Sequence, residues 1–115
     1  MRVVEAVNRP NFQICLDTGH VAVFQKDLEI GEEIRRLRDP LRVMHVHDNK
    51  KGKDLHLIPR MGILDWDSLA GALKEIGYSG VFSLETAPSD GLPSPLFEEM
   101  GILMAKIAKD IVRNL

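Results

Sequence analysis

The sequence predicts an α/β fold in which helices alternate with the strands of a parallel sheet. Three short apolar runs are typical of buried strands, and helical stripes of apolar residues lie between and after them. Each run ends at an acidic or imidazole side chain: Asp17, His45 and Glu85. The 115 residues are 44% hydrophobic, which suits one domain with a core. Alternation of this kind predicts parallel strands joined by right-handed crossovers.

The first half contains two predicted strands. Residues 1–7 are expected to end a helix, because three valines share one face, and residues 8–11 break it. The first strand covers residues 12–16. Asp27 is then expected to cap a helix that runs to about Leu37 with the stripe Leu28, Ile30, Ile34 and Leu37. The second strand covers residues 41–46.

The second half begins with a polar segment, residues 48–65, that is long for a simple connection and is expected to be a functional loop. Asp67 is expected to cap a helix through Ile76, with Gly77 as its left-handed C-terminal residue. The third strand, residues 80–84, ends at Glu85. After a Pro-rich loop, a last helix is predicted to pack against the sheet through Leu96, Met100, Leu103, Met104, Ile107 and Ile111.

Composition argues against several classes of protein. A net charge of −2 and a pI near 6.1 argue against a nucleic-acid-binding protein. The basic cluster at residues 50–53 is expected to be a solvated loop rather than a phosphate site. Cys15 is the only cysteine, so we expect no internal disulfide, a reducing compartment and a small core side chain. The absence of a long apolar stretch predicts a cytoplasmic protein without a membrane anchor.

The residues at the three strand ends predict a metal site. Carboxyl ends of parallel strands meet at one edge of a sheet, so Asp17, His45 and Glu85 should converge there. Two carboxylates and one imidazole suit manganese, magnesium, cobalt or zinc, and the sequence does not choose among them. A carboxylate at Glu85, after an apolar strand, is costly unless it is paired or bound to a cation.

Further polar residues flank this set. If the second strand continues, its period of two sends His45 and His47 to one face, while Asp48 orients a neighbouring ligand. His20 follows Asp17 by three residues, and Gly19 is expected to allow a sharp bend between them. In the long loop, Asp54 and His56 are expected to bind a second metal, to clamp a polar substrate or to be merely solvated.

The order of these motifs resembles the carboxyl-terminal part of the xylose-isomerase-like barrel family. The resemblance covers nearly the whole chain through the segments ICLDTGH (14–20), VMHVHDN (43–49), DLHL (54–57), PRMGILDW (59–66), EIGYSG (75–80) and LE (84–85). That family contains sugar and sugar-phosphate isomerases and epimerases, inosose dehydratases and endonuclease IV. The resemblance implies the last three strands of a TIM (β/α)8 barrel, with residues 1–115 as one partial barrel domain.

The resemblance also implies roles for individual residues. Asp17, His45 and Glu85 fill three of the family's four metal-binding positions, and Glu85 and His20 are the implied catalytic residues. His20, His56, His47 and Trp66 are the implied substrate contacts, and Asp54 and His56 are candidates for a second metal. The first Glu of the family has no counterpart, since Glu5 lies within a helix. The usual Pro-Gly-x-Gly appears as Pro59-Arg60-Met61-Gly62, with one glycine replaced.

A complete barrel needs about 250 residues and eight strands, whereas three strands are predicted here. Three strands leave two unpaired edges, so we expect the chain to need the missing barrel half or self-association. The first hypothesis is therefore part of a metal-dependent isomerase or epimerase that transfers a proton through an enediolate of a sugar or sugar phosphate. The alternatives are a zinc endonuclease acting at apurinic sites and a catalytically silent assembly module.

Overall fold

The computed structural model describes residues 2–25, 28–86, 92–113 and 115. Its elements are, in chain order, α1 (Arg2–Val7), β1 (Ile14–Asp17), α2 (Thr18–Phe24), α3 (Ile30–Leu37), β2 (Leu41–Val46), β3 (Asp48–Lys50), β4 (Lys53–Leu57), α4 (Trp66–Glu75), β5 (Val81–Leu84) and α5 (Ser94–Ile111).

The three strands predicted from the apolar runs form one parallel sheet in the order β1-β2-β5. Asp17 pairs in register with His45, and His45 pairs with Ser83, so the ends of neighbouring strands are level. This arrangement confirms the predicted α/β class with parallel strands. Within the described residues the sheet is open rather than closed into a barrel, as predicted for part of a TIM barrel.

The core lies between one face of this sheet and the helices α3 and α4. Leu16, Met44 and Val46 supply the sheet side of the core, and each is at most 7% exposed. The helices supply Ile30, Ile34 and Leu37 from α3 and Leu69, Ala72 and Leu73 from α4. Burial of these side chains drives the packing, since full burial of a Leu, Ile, Val or Met side chain contributes roughly 1.5–3 kcal/mol.

Two helix starts differ from the prediction. Helix α3 begins at Ile30, with the Glu29 carboxylate accepting hydrogen bonds from the N–H groups of Gly31 and Glu32. The predicted cap Asp27 lies outside the described residues. Helix α4 begins two residues before the predicted start, because Asp65 rather than Asp67 accepts the first-turn N–H bonds. The predicted C-terminal Gly77 has φ +62°, as a left-handed position requires.

The segment after β1 is a helix that the sequence prediction missed. Asp17 caps α2 by accepting a 2.8 Å hydrogen bond from the His20 N–H. The prediction that Gly19 provides a sharp bend was wrong, because Gly19 lies within α2 and lacks a positive φ. Instead, the absence of a side chain at Gly19 lets the His47 ring pack closely against α2, since a Cβ there would lie 2.1 Å from Cε1 of His47.

The predicted long loop contains a β-hairpin. Strands β3 and β4 pair antiparallel, and the turn between them contains Gly52 at φ +70°. The basic residues of the turn are exposed, as expected for the solvated cluster 50–53. The hairpin was missed because its strands have no alternating apolar pattern, and side-chain hydrogen bonds hold them instead.

The second face of the sheet is open. Leu16 points into the core, and the strand period of two therefore puts Cys15 and Asp17 on the opposite side of β1. Cys15 is exposed there, so its prediction as a core residue was wrong. On the same side of β5, Val81 is 56% exposed. A sheet face that exposes Cys15 and Val81 is normally covered by the rest of a barrel.

Helix α5 packs through its C-terminal half. Ile107 and Ile111 contact the core, but Leu96 and Leu103 are 48% and 46% exposed, so the predicted stripe packs only in part. The sequence pattern shows a helix face, but it does not show which neighbour covers that face. Across the helices of the described residues, none has both the length and the apolar character needed to span a membrane.

Candidate functional site

Asp17, His45 and Glu85 lie together at the carboxyl ends of β1, β2 and β5. Each offers one ligand atom, and these atoms all lie within 4.8 Å of one another. The level register of β1 and β2 places Asp17 beside His45, and a 3.0 Å hydrogen bond from the Glu85 N–H to the Val46 carbonyl extends the pairing past β5. The predicted convergence is thus observed, and we call these three residues the strand-end cluster.

The strand-end cluster contains a shielded carboxylate oxygen that accepts no hydrogen bond from the described residues. Glu85 Oε2 lies 2.9 Å from His45 Nδ1, yet it accepts no hydrogen bond from any residue of the described ranges. The Glu85 side chain is 42% exposed overall, but this one oxygen is shielded from solvent. A shielded carboxylate oxygen facing an imidazole nitrogen suits a shared cation, because both atoms can then donate lone pairs.

The third member of the cluster, Asp17, is held by neighbouring donors. Its Oδ1 accepts hydrogen bonds from the His20 N–H at 2.8 Å and lies 2.9 Å from His47 Nε2. Its Oδ2 lies 2.8 Å from His20 Nδ1. The side chain is therefore ordered before any ligand arrives, which favours tight binding because little conformational entropy remains to be lost.

Four residues form a second group beside the first, which we call the imidazole cluster: His20, His47, Asp54 and His56. Their candidate ligand atoms also lie within 4.8 Å of one another. His20 Nε2 is 3.2 Å from one Asp54 oxygen, and His56 Nε2 is 3.4 Å from the other. The rings of His47 and His56 are stacked, with centroids 4.0 Å apart and planes 2° apart. His20 connects the two groups, since its ring lies between Asp17 and Asp54.

Charge in the imidazole cluster favours a protonated His20. Desolvation works against the charge, but the hydrogen bond and the negative charge of Asp54, together with Asp17, raise the pKa of His20 above 6.5. Desolvation likewise opposes ionisation of Asp54, yet hydrogen bonds from His20 and Asn49 lower the pKa of that carboxyl below 3.8. Both shifts favour a charged pair of a His20 imidazolium and an Asp54 carboxylate.

The β3–β4 hairpin positions Asp54 and His56. The Asn49 side chain accepts hydrogen bonds from the N–H groups of Leu55 and His56 and donates one to Asp54 Oδ1 at 3.2 Å. His56 adopts a left-handed backbone at φ +47°, which is uncommon for a residue with a side chain. Its Nδ1 lies 2.8 Å from the Glu85 carbonyl, so the hairpin is tied to the end of β5. Strain of this kind is common at functional sites.

Asp48 organises the segment that follows the hairpin. Its fully buried carboxylate accepts hydrogen bonds from the N–H groups of Asn49, Gly62, Ile63 and Leu64 and from Trp66 Nε1. A Cβ on Gly62 would lie 2.1 Å from an Asp48 oxygen, so a glycine is needed there. Asp48 thus folds the loop, and the expected contact to a metal-binding neighbour is not among its hydrogen bonds.

Two residues expected to contact substrate are buried. His47 is 0% exposed and Trp66 is 3% exposed, and the Trp66 N–H is used by Asp48. His47 departs from the predicted face because β2 ends at Val46, so the strand period does not continue to it. The other expected contacts are accessible: His20, Asp54 and His56 are 41%, 41% and 28% exposed.

One residue of the predicted substrate loop adopts an unusual backbone. Arg60 has φ +74°, which is favourable for glycine and strained for other residues. This is the position where the resembled family has a glycine. The Arg60 side chain turns outward and lies 3.1 Å from Asp67. The loop backbone therefore keeps the left-handed φ that suits glycine, although residue 60 is an arginine.

Comparison with known proteins places this geometry in a family. Residues 1–106 match the family model described as Xylose isomerase-like TIM barrel. The chain is 30% identical to the Ketose 3-epimerase of Arthrobacter globiformis over 99 residues, which is 86% of this chain and 32% of that protein. It is 32% identical to the Probable endonuclease 4 of Mesomycoplasma hyopneumoniae over 119 aligned positions, which is 93% of this chain and 42% of that protein.

A solved structure has the same architecture. The crystal structure of a D-tagatose 3-epimerase-like protein superposes with a TM-score of 0.66 at 27% identity, covering 96% of this chain and 40% of the other. The chain spans between 23% and 42% of the length of the curated relatives it matches. With a model match over most of its length and an open parallel sheet that fits part of a barrel, the chain belongs to the xylose isomerase-like TIM barrel family.

Proposed function

We propose that this chain is the carboxyl-terminal portion of a metal-dependent sugar or sugar-phosphate isomerase or epimerase. The observation that carries the proposal is the strand-end cluster, in which three ligand atoms from three adjacent strands lie within 4.8 Å of one another. Similarity to a Ketose 3-epimerase and to a D-tagatose 3-epimerase-like protein supports this substrate class.

Asp17, His45 and Glu85 would hold one divalent cation. Glu85 Oε2, which accepts no hydrogen bond from the described residues and lies 2.9 Å from His45 Nδ1, fits this role, and two carboxylates with one imidazole suit manganese, magnesium, cobalt or zinc. When bound, the cation would supply Lewis-acid polarisation of adjacent carbonyl and hydroxyl oxygens of the sugar.

Glu85 is proposed as a proton-transfer group. Its carboxylate would remove a proton from the carbon next to the sugar carbonyl, giving an enediolate, or return a proton to the neighbouring position. A second carboxylate is needed for the opposite step. Because the curated relatives are considerably longer, we propose that this group comes from the rest of the barrel.

The accessible residues of the imidazole cluster are proposed to bind the sugar. His20 is 41% exposed, and its two ring nitrogens face Asp17 and Asp54, so a substrate oxygen would replace one of these two contacts. The Nδ1–H of His56 donates to the Glu85 carbonyl, so Nε2 of the neutral ring, 3.4 Å from Asp54, would bind a metal or accept a hydrogen bond from a sugar hydroxyl. Both groups lie next to the strand-end cluster, where the reacting carbons would be placed.

We propose that the remaining strands of a barrel cover the open face of the sheet. Strands β1 and β5 each have an unpaired edge in the described residues, and Val81 on that face is 56% exposed. The matching epimerase-like structure is longer, since this chain covers 40% of it. Size-exclusion chromatography with light scattering tests the chain alone, and a compact, stable monomer with no affinity for other barrel strands would contradict the proposal.

The activity is tested with a panel of ketoses and ketose phosphates in deuterated water with manganese. When the chain is assembled with the rest of its barrel, we expect deuterium to be incorporated at the carbon next to the carbonyl. We expect Glu85→Gln to abolish this hydrogen–deuterium exchange. Glu98→Gln is the matched control, because Glu98 lies exposed on α5. Absence of exchange for every sugar by a metal-loaded, complete barrel would contradict the proposed isomerase.

A zinc-dependent apurinic-site endonuclease is the second candidate. The imidazole cluster beside the strand-end cluster favours it, because neighbouring metal ions clamp the oxygens of a phosphodiester. The 32% identity to a Probable endonuclease 4 supports it, while the net charge of −2 opposes it. Cleavage of duplex DNA at an abasic site, with loss of cleavage in Asp54→Asn, would favour this candidate. A chain that neither binds metal nor turns over either substrate would instead be a silent assembly module.

A further inference from the structure

His47 contacts the carboxylate of Asp17, a proposed metal ligand, and what we infer from this contact rests on the proposed function. His47 is fully buried, and its Nε2 lies 2.9 Å from Asp17 Oδ1. Since the ring is sealed from solvent, direct contact with a sugar is excluded in this conformation. Within the described residues, the hydrogen bond that its ring makes is the one to Asp17.

The backbone of His47 is fixed by Thr18, which is itself fully buried. The Thr18 hydroxyl donates to the His47 carbonyl at 2.7 Å, and it accepts from the His47 N–H at 3.1 Å. The end of β2 is therefore tied to the first residue of α2 by two hydrogen bonds. Because Asp17 immediately precedes Thr18 in the chain, this connection also restrains the Asp17 backbone.

The ring of His47 is fixed by two contacts. It packs against Gly19, where a Cβ would lie 2.1 to 2.6 Å from three ring atoms. It also stacks on the parallel ring of His56, with the ring centroids 4.0 Å apart. With this packing the ring has little freedom to rotate, so the direction of Nε2 toward Asp17 is set by the fold.

The hydrogen bonding assigns the proton of His47 to Nε2. Its Nδ1 is buried and has no hydrogen-bond partner among the described residues, whereas Nε2 faces a carboxylate oxygen that can only accept. A proton on Nδ1 would leave a buried N–H unsatisfied, which is costly. Nε2–H therefore donates to Asp17 Oδ1.

We propose that His47 is a positioning residue for the metal ligand Asp17. Its Nε2–H, with the His20 backbone N–H, occupies Asp17 Oδ1 and fixes the carboxylate plane, which also sets the direction of Oδ2, 2.8 Å from His20 Nδ1. Donors of this kind orient a ligand without touching the metal, and their loss typically lowers metal affinity by about 10–100-fold.

The test uses the chain with manganese alone and two substitutions of His47. The amide nitrogen of His47→Gln can reach the position of Nε2 and donate a hydrogen bond. His47→Phe keeps a planar aromatic ring, which is larger than imidazole, and cannot donate one. We expect manganese affinity by calorimetry to fall about 10–100-fold in His47→Phe and to be largely restored in His47→Gln. Equal affinity in His47→Phe and the unsubstituted chain, or equal losses in both variants, would overturn the inference.

A second measurement separates this inference from the proposed function. Long-range 1H–15N NMR of the metal-free chain should show His47 with its proton on Nε2, and Asp17→Ala should shift that proton signal. A proton on Nδ1, or a signal indifferent to Asp17→Ala, would overturn the positioning role even if His47→Phe fails to fold. Absence of manganese binding by the unsubstituted chain contradicts the proposed function, and the NMR result then decides the His47–Asp17 bond by itself.

Discussion

The Asp48 carboxylate accepts a 2.7 Å hydrogen bond from the indole N–H of Trp66, and both side chains are buried. Three backbone N–H groups of residues 62–64 and that of Asn49 complete its set of donors. The hairpin, the loop that follows it and the start of α4 are therefore joined through one side chain. The loop beside the candidate site is held in place by this carboxylate.

Substitution of Asp48 by Asn should destabilise the chain. The amide NH2 would face N–H donors in place of one acceptor oxygen, so we expect the free energy of unfolding to fall by about 2–4 kcal/mol. Urea denaturation followed by Trp66 fluorescence measures this change. Exposed Asp39→Asn is the control and should stay within about 0.5 kcal/mol of the unsubstituted chain. A similarly small effect of Asp48→Asn would contradict the account of the loop.

Glycine substitutions in two helices should have opposite effects. Gly19→Ala in α2 places a Cβ 2.1 Å from His47 Cε1, so we expect a loss of about 1–3 kcal/mol from overpacking. Gly71→Ala in α4 meets nothing within 4 Å and should stabilise by about 0.5–1 kcal/mol. Thermal or urea unfolding of the two variants gives the comparison. If Gly19→Ala is as stable as Gly71→Ala, the His47 ring does not lie where the structure has it.

The left-handed backbone of Arg60 predicts that glycine is preferred there. Arg60→Gly and Arg60→Ala both remove the exposed contact to Asp67, which is worth little. They differ in the Cβ, which is strained at φ +74°. We expect Arg60→Gly to be more stable than Arg60→Ala by about 1 kcal/mol in urea denaturation. The reverse order would show that the loop does not adopt this φ.

The pKa of His20 should depend on Asp54. Burial opposes the charge on His20, but Asp54 and Asp17 raise its folded-state pKa above 6.5. The contribution of charged His20 to the free energy of unfolding is therefore fully present below the unfolded-state pKa of about 6.5. It is lost as the pH rises through the raised folded-state pKa. NMR titration of the His20 ring should give a pKa above 6.5, and a lower one in Asp54→Asn. Asp67→Asn serves as the control and should leave it unchanged; an equal pKa in Asp54→Asn would contradict the contact.

The strands and their polar ends were predictable because their signals are local. Apolar runs ending at Asp17, His45 and Glu85 gave the parallel sheet, and parallel geometry brought the three side chains together. Helix α2 was missed because its start depends on the Asp17 cap rather than on an apolar stripe. The strand-end cluster therefore follows from the local sequence and from parallel-strand geometry, whereas helix α2 does not.

The roles of the buried polar residues could not be predicted in the same way. His47 is buried because Gly19 leaves room for its ring, and Asp48 is satisfied by donors 14 to 18 residues away. Both depend on contacts between distant segments, and neither contact leaves a periodic pattern. A glycine pair such as Gly19 and Gly62 was the available signal, since each lies where a Cβ would collide with a buried polar side chain.

The central claim is that Asp17, His45 and Glu85 bind one divalent cation. Isothermal titration of the metal-free chain with manganese tests it, with His45→Ala and Glu85→Gln as site variants and exposed Glu98→Gln as the control. We predict binding to the unsubstituted chain and to Glu98→Gln, with at least about a 10-fold loss of affinity in each site variant. No binding, or affinities that are equal in all four proteins, would contradict the claim.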